Sequence, residues 1–141
     1  MQKKANKVVL DTHVFIWLIQ GSKELSLDSR KLIDSFANDH SIYVSAISLW
    51  EISMLEKAGR IVLHEPCLQW LKQAIEASGV NIANLTPDIA VESSNLPGDF
   101  HSDPADKIIV ATARILQAKL ITRDAKILKY SQTSHIECIK V

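Results

Sequence analysis

Short apolar runs alternate along the chain with longer segments of helical periodicity, and this alternation constrains the fold more than any other feature. Five runs have the length and β-branched content of buried strands: residues 7–10, 41–45, 80–85, 119–122 and 136–141. Continuous apolar strands are typical of parallel sheets that are covered on both faces. The pattern therefore predicts an α/β fold in which a central, mostly parallel sheet lies between helices.

The segments between the strands carry the signals of helices. Apolar residues recur at helical spacing, and Gly, Pro or capping side chains stand at the ends. The predicted helices span residues 12–20, 26–38, 48–57, 66–78, a short stretch from 86, and 103–118. Ser48 and Glu51 have the spacing of a capping box, and residues 93–102 are predicted to form a loop.

Length and charge limit the class of protein. The 141 residues fit one domain, predicted to span 1–141 with a flexible N-terminal extension at 1–6. The 16 Lys and Arg balance the 16 Asp and Glu, which argues against a protein that coats nucleic acid by bulk charge. Because neither a membrane span nor a signal peptide is recognisable, we expect a cytoplasmic protein that makes no membrane contact.

Acidic residues fall where predicted strands end or predicted helices begin. Asp11 directly follows the first strand, and Asp124 lies two residues beyond the fourth. Glu51 and Asp106 lie in the first turns of helices that follow a strand or a loop. The carboxyl ends of parallel strands meet at one edge of a sheet. If all strands are parallel, four carboxylates from distant parts of the chain converge there.

Converging carboxylates raise each other's pKa, and a hard divalent cation such as Mg²⁺ relieves their repulsion. Such a cation activates water and stabilises charge on a phosphoryl group, so the pattern suggests phosphodiester hydrolysis. Structural roles remain open for every acid. These roles are helix N-caps for Asp11 and Asp103, the capping box for Glu51, a first-turn acid for Asp106 and a turn residue for Asp124.

Other chemistries have less support in the sequence. A zinc site at His64 and Cys67 needs two more ligands, which only a coincidence of folding could bring from His135 and Cys138. Neither a glycine-rich phosphate loop nor a nucleophile elbow is found. The two cysteines and the three tryptophans are expected to fill the core: Cys67, Cys138, Trp17, Trp50 and Trp70.

Four motifs together resemble those of the PIN-domain nucleases, and more closely those of the VapC-type ribonuclease toxins of prokaryotic toxin–antitoxin modules. The motifs are VLDTHVFIW (9–17), SLWEI (48–52), DPADKIIVATA (103–113) and LITRD (120–124). The resemblance extends from residue 8 to about residue 130. Each motif alone is weakly specific, but four in this order are strongly so.

The resemblance implies an α/β/α PIN-like fold and an endoribonuclease that depends on Mg²⁺ or Mn²⁺. The family's catalytic acids, which hold the metal, match Asp11, Glu51, Asp106 and Asp124. Of these, Glu51 would act through water, as a ligand or as the group that positions the attacking water. The residues expected to support the acids are Thr12, Asp103 and Thr122. Basic residues predicted near the same edge are candidates for RNA contacts, or simply solvated helix charges: Lys107, Arg114, Arg123 and Lys126.

Two positions depart from the family pattern. His13 stands where asparagine is commoner, and Lys107 stands where arginine is frequent. Lysine keeps the positive charge but loses the bidentate fork of arginine.

The resemblance also implies protein partners, namely a second copy of the chain and a cognate antitoxin. An inhibitor that places an arginine or lysine among the acids would replace the cation. Its helix would find a groove at Trp50, Met54 and Leu55, although core packing is the expected role of Trp50.

Two other functions remain open at this point. A degenerate PIN fold could serve as a binding scaffold, although all four acids are present. A phosphate-handling domain of the receiver or haloacid-dehalogenase type would be phosphorylated at the strand-end aspartate. The dehalogenase type needs a second aspartate two residues after Asp11, where His13 stands.

Overall fold

The computed structural model describes residues 6–141. The predicted extension, residues 1–6, lies outside this range except for the exposed Asn6. The strands are β1 (Val8–Leu10), β2 (Ile42–Ser45), β3 (Asn81–Ala83), β4 (Lys119–Thr122) and β5 (Cys138–Lys140). The helices are α1 (Thr12–Gln20), α2 (Leu27–Ala37), α3 (Ala46–Lys57), α4 (Cys67–Ser78), α5 (Pro87–Ser94), α6 (Pro104–Leu116) and α7 (Ala125–Ser131).

The five strands form one parallel sheet in the order β3-β2-β1-β4-β5. At its centre, Leu10 of β1 pairs with Val44 of β2 and with Ile121 of β4. The chain first adds strands on one side of β1 and then on the other. The topological switch point, where ligands bind in open α/β sheets, therefore lies between the carboxyl ends of β1 and β4.

Helices cover both faces of the sheet. Val8 and Leu10 pack with residues of α1, α2, α3 and α4, whereas Val9 packs with α6 and α7 on the opposite face. All three side chains are fully buried, because a central parallel strand is shielded on both sides. The predicted three-layer α/β/α fold is confirmed.

Several helix boundaries differ from the prediction. Helix α3 begins at Ala46 with Ser45 as its N-cap, so Ser48 does not open a capping box and Glu51 lies in the second turn. Helix α5 extends to Ser94, into the predicted loop. Helix α6 ends at Leu116, two residues early. In each case a local hydrogen bond or backbone conformation at the end of the helix outweighs the apolar periodicity.

Helix α7 was not predicted. Asp124 caps it, and its two buried side chains are Ile127 and Tyr130. A helix of 7 residues is too short to show a recognisable periodicity, although the capping aspartate was visible in the sequence.

The tryptophans divide between core and surface. Trp70 is buried and Trp17 packs partly against the core, but Trp50 is 53% exposed, so its predicted core position is wrong. The buried side chains of α3 are Ser48 and Ile52, and residue 50 points away from that face because successive helical residues turn by about 100°. Both cysteines are free and lie partly buried against the two cores. In the described part of the chain, every helix is too short or too polar to cross a membrane.

The end of α6 offers a test of backbone strain. Gln117 adopts a left-handed conformation, with φ 54°, that favours glycine. We expect Gln117→Gly to raise the free energy of unfolding by about 0.5–1 kcal/mol in chemical denaturation, because it relieves this strain. Gln132 ends α7 with φ −66°, so Gln132→Gly should lower the free energy of unfolding. Equal effects at the two positions would contradict the strain argument.

Candidate active site

Two of the predicted acids flank the switch point. Asp11 follows β1 and caps α1, with Oδ1 accepting a hydrogen bond from the Thr12 N–H at 2.9 Å. Its Oδ2 accepts a hydrogen bond from the hydroxyl of Thr122, at the end of β4, at 2.6 Å. The same hydroxyl oxygen accepts a hydrogen bond from the Asp124 N–H at 3.0 Å. Thr122 therefore joins the first predicted acid to the backbone of the last.

A second threonine holds Glu51. The Thr12 hydroxyl oxygen lies 2.6 Å from Glu51 Oε1 and 2.8 Å from Ser48 Oγ. A hydroxyl has one proton and a carboxylate can only accept. Thr12 therefore donates to Glu51 and accepts the proton of Ser48. Thr12 and Ser48 are both buried, so this chain of hydrogen bonds fixes the glutamate at the base of the site.

Asp106 joins the group from the first turn of α6, a helix that contacts β1 and α3. Its N–H donates to Asp103 Oδ1 at 2.9 Å, so Asp103 is the N-cap of α6. Its carboxylate Oδ2 lies 2.6 Å from Nε2 of His101, and both side chains are largely buried. Asp106 is thus held by its backbone and by its side chain.

The electrostatics show that the acids share one environment. Burial raises the pKa of Asp11 and of Asp106, and it raises the pKa of Glu51 to about 7. Hydrogen bonds from Thr122, Thr12 and His101 oppose these increases. The charges of the acids raise one another's pKa further: Asp124 that of Asp11, Asp106 and Asp11 that of Glu51, and Asp103, Asp11 and Asp124 that of Asp106. Each of the four predicted acids therefore lies within electrostatic range of at least two of the others.

The acids offer a cation some, but not all, of the ligands that it needs. Within residues 6–141, no three His, Cys, Asp or Glu side chains are placed to hold a metal ion among themselves. The donors at the switch point are carboxylate oxygens, which hard cations prefer. Mg²⁺ commonly takes one or two carboxylates and completes its coordination with water and substrate phosphate, so this donor set fits such an ion.

Three of the acids cap helices as well as lining the site. Asp11, Asp103 and Asp124 are the N-caps of α1, α6 and α7. The capping-box interpretation of Glu51 is wrong because α3 begins earlier. Its carboxylate is bound to Thr12 instead.

The basic residues predicted near the acids lie in different places. Arg114 lies in the last turn of α6, where it binds Glu92 and the carbonyl of His135 and lines a cavity with Lys7 and Lys119. These lysines lie at the amino-terminal edge of the sheet, so the prediction that Arg114 lies near the acids is wrong. A helix that begins at the carboxyl edge must end at the opposite edge.

The other three basic residues lie on the side of the acids. Arg123 pairs with Glu24 at 2.6 Å, stacks on Trp17 at 4.6 Å and donates to the Val141 carbonyl, so it is held within the fold. Lys126 is exposed in the first turn of α7, and Lys107 is half-buried next to Asp106.

Sequence reasoning missed His101. His101 lies five residues before Asp106, and the loop before α6 folds back onto that acid. The helix start predicted at Asp103 was the available signal, because a residue two positions before an N-cap lies close to the first helical turn.

Comparison with known proteins defines the class. The family model described as the PIN domain matches residues 8–132, and the chain belongs to this family. It is 35% identical over 120 residues to Ribonuclease VapC22 of Mycobacterium tuberculosis. The aligned region covers 85% of this chain and 88% of that protein.

Solved structures share the fold. The DNA-bound VapBC of Salmonella typhimurium matches with a TM-score of 0.70 at 16% identity, over 96% of this chain and 98% of that one. A toxin–antitoxin complex from Klebsiella pneumoniae matches with a TM-score of 0.60 at 25% identity, over 85% of this chain and 88% of that one.

The raised pKa of Glu51 predicts how stability depends on pH. Between its ordinary pKa of 4.5 and the folded value of about 7, the folded protein keeps a proton that the unfolded chain releases. In EDTA, the free energy of unfolding should therefore fall as pH rises through this interval. Glu51→Gln still accepts the hydrogen bond from Thr12 but cannot ionise. It should raise stability at pH 8 by about 1 kcal/mol, a value discounted for solvent screening, and change little at pH 4.5.

Glu76 provides the matched control for this experiment. It is an exposed glutamate on α4, and Glu76→Gln should leave the pH dependence of thermal unfolding as it is in the parent. A loss of stability in the Glu51→Gln variant at pH 8 would contradict the assigned direction of the pKa shift.

Proposed function

We propose that this protein is a metal-dependent endoribonuclease and the toxin of a toxin–antitoxin module. The observation that carries the proposal is the group of four acids, Asp11, Glu51, Asp106 and Asp124, at the switch point of a parallel sheet. The relative named as a ribonuclease at 35% identity supports this function. Solved structures named as VapBC complexes share the fold.

In this proposal Mg²⁺ or Mn²⁺ is held by Asp11, Asp106 and Asp124, directly or through water. When bound, the cation supplies an activated water and stabilises the charge that develops on the phosphoryl oxygens. Thr122 keeps Asp11 in one orientation, and Asp103 keeps the backbone of Asp106 in place.

Glu51 orients the attacking water or takes its proton. Its pKa of about 7 lets it accept a proton near neutral pH, where a general base is most effective. The hydrogen bond from Thr12 engages one oxygen of the carboxylate, and the other is left for water. The water would attack phosphorus as its proton passes to Glu51. The P–O bond to one of the two bridging oxygens breaks, and that oxygen leaves as an alkoxide that takes a proton from solvent.

The RNA backbone would contact the basic side chains on this side of the sheet. Lys126 is exposed and Lys107 is half-buried next to an acid, so both are suited to a phosphate. Arg123 already has three partners in the fold, and we assign it a structural role. Because the proposed substrate is cellular RNA, the proposal includes a cytoplasmic location.

The competing functions fit the structure less well. Receiver domains have the strand order 2-1-3-4-5, whereas this sheet has the order β3-β2-β1-β4-β5. A dehalogenase-type enzyme lacks its second aspartate, because His13 stands there. A binding scaffold would not need carboxylates such as Asp11, Glu51 and Asp106, whose pKa values are raised by burial and by the charges of neighbouring acids.

Removal of the metal tests the chemistry. Purified protein should cut single-stranded RNA with Mg²⁺ or Mn²⁺ and stop in EDTA. Asp11→Asn should lose about a hundredfold or more of the activity. Its melting temperature should stay near or above that of the parent, because one of the repelling charges is gone. Asp39→Asn, at an exposed position before β2, should retain full activity, and cleavage that persists in EDTA would refute the metal mechanism.

We also propose that the chain forms a homodimer. Trp50 and Met54 lie one turn apart on α3 and are 53% and 51% exposed, and Leu27 of α2 is 66% exposed. Light scattering should give a mass of about twice 15.7 kDa. The double variant Trp50→Gln with Met54→Gln should shift the mass towards the monomer. Val91→Gln, at an exposed residue of α5, should not, and a monomeric parent at micromolar concentration would exclude the dimer.

A small antitoxin is the second proposed partner. A cation from its arginine or lysine, placed among the acids, would be partly desolvated and would bind more strongly than a surface ion pair. We expect saturating antitoxin to weaken Mn²⁺ binding, and an antitoxin variant without that cationic side chain to leave it unchanged. Unaltered Mn²⁺ affinity in the saturated complex would refute cation replacement even if inhibition persisted.

A further inference from the structure

His101 is the one imidazole that contacts an acid of the site within residues 6–141. Its Nε2 lies 2.6 Å from Oδ2 of Asp106, and the exposed fractions of the two side chains are 19% and 18%. An ionised carboxylate can only accept a hydrogen bond. Nε2 therefore carries the proton, and its N–H donates a hydrogen bond to Asp106. This contact lies at the start of α6 and takes no part in the proton transfer to Glu51.

An aromatic cluster fixes the orientation of His101. Its ring stacks on Phe100 with centroids 4.2 Å apart, and Phe100 meets Tyr130 of α7 edge-to-face at 4.8 Å. The Tyr130 hydroxyl donates to the Pro97 carbonyl at 2.6 Å and so anchors the loop that carries the histidine. A free loop histidine would spread over several rotamers, whereas this ring is held before any ligand arrives.

The orientation of the Asp106 carboxylate depends on its hydrogen bond with His101. Within the described residues, Asp11 has a hydrogen bond on each carboxylate oxygen, and Asp124 accepts two N–H groups on one oxygen. Among the described residues, the Asp106 carboxylate is bound by His101 alone. The Asp103 contact holds only the Asp106 backbone. The rotamer of this acid therefore depends on the histidine.

We infer that His101 is a positioning residue for the cation site: it binds Oδ2 of Asp106 and leaves Oδ1 for the cation or for a water bound to it. The inference rests on the proposed function, because it assigns Asp106 to the metal. Hydrogen bonds to metal-ligating side chains raise metal affinity by pre-orienting the ligand, and their loss commonly costs 10–100-fold.

Mn²⁺ binding in the absence of RNA tests the inference, with electron paramagnetic resonance of the free ion as the readout. His101→Leu removes the donor and keeps an apolar side chain against Phe100, and it should weaken Mn²⁺ binding by about tenfold or more. His101→Gln places an N–H at a similar distance from the backbone and should recover most of the affinity.

The matched control is His135, which packs against Tyr130 in the same aromatic cluster. His135→Leu should leave Mn²⁺ affinity at the parent value. If His101→Leu does not fold, Phe100→Leu keeps the donor but frees the ring, and it should weaken Mn²⁺ binding by a smaller factor. In RNA cleavage at saturating Mn²⁺, the parent KM for RNA and most of kcat should return in His101→Leu, since the variant loses metal affinity and not substrate contacts.

The outcomes separate the two levels of the argument. If the parent binds Mn²⁺ and His101→Leu binds it equally or more tightly, the positioning role is refuted and the proposed function stands. If His101→Leu and His101→Gln lose the same affinity, the side chain acts through packing and not as a donor, which also refutes the role. If the parent binds no Mn²⁺ at millimolar concentration, both the positioning role and the metal-dependent function fail.

Discussion

The hydrogen bond from Thr122 to Asp11 is the contact on which the site depends. It joins the carboxyl ends of β1 and β4 across the switch point, between residues 111 positions apart in the chain. Thr122 is fully buried, and its hydroxyl oxygen also accepts the Asp124 N–H. Asp11 therefore cannot change its orientation without disturbing the two central strands or the start of α7. The central strands of the sheet therefore hold the Asp11 carboxylate in place.

Capping and site formation are two effects of the same side chains. Asp11, Asp103 and Asp124 each accept backbone N–H groups at a helix start, where the partial positive charge of the helix favours an anion. Burial and, after it, repulsion between the acids raise the pKa values of Asp11, Glu51 and Asp106. The three helix ends offset part of that repulsion. Glu51 lies within α3 rather than at its start and accepts the hydroxyl of Thr12. Its pKa of about 7 makes it the acid best suited to exchange a proton.

Sequence periodicity predicted the parts of the fold that buried strands and long helices determine. The strand at Val8–Leu10 and the helix start at Asp103 were predicted because local patterns specify them. The errors arose where tertiary contacts decide. Trp50 is exposed because α3 buries the face of Ser48 and Ile52. Proximity in sequence also suggested that Arg114 lies near the acids, but α6 carries it to the opposite edge. His101 was not predicted as a site residue, because its contact with Asp106 depends on the conformation of the loop before α6. No residue pattern in the sequence specifies that conformation.

Asp11 and Asp106 are held in the site by different contacts, and this difference affects how each can adjust to a bound ion. Asp11 stands at the end of β1, whose side chains are fully buried, so it provides a fixed reference point. Asp106 stands at a helix start, and its carboxylate is bound by a loop histidine that packs on Phe100, which in turn packs on Tyr130. Without a cation, two carboxylates lie where their mutual repulsion is smallest. To bind one cation together, they must move slightly closer to each other. Asp11 is bound on both carboxylate oxygens and Asp106 on only one among the described residues, so we expect the larger part of this adjustment at Asp106.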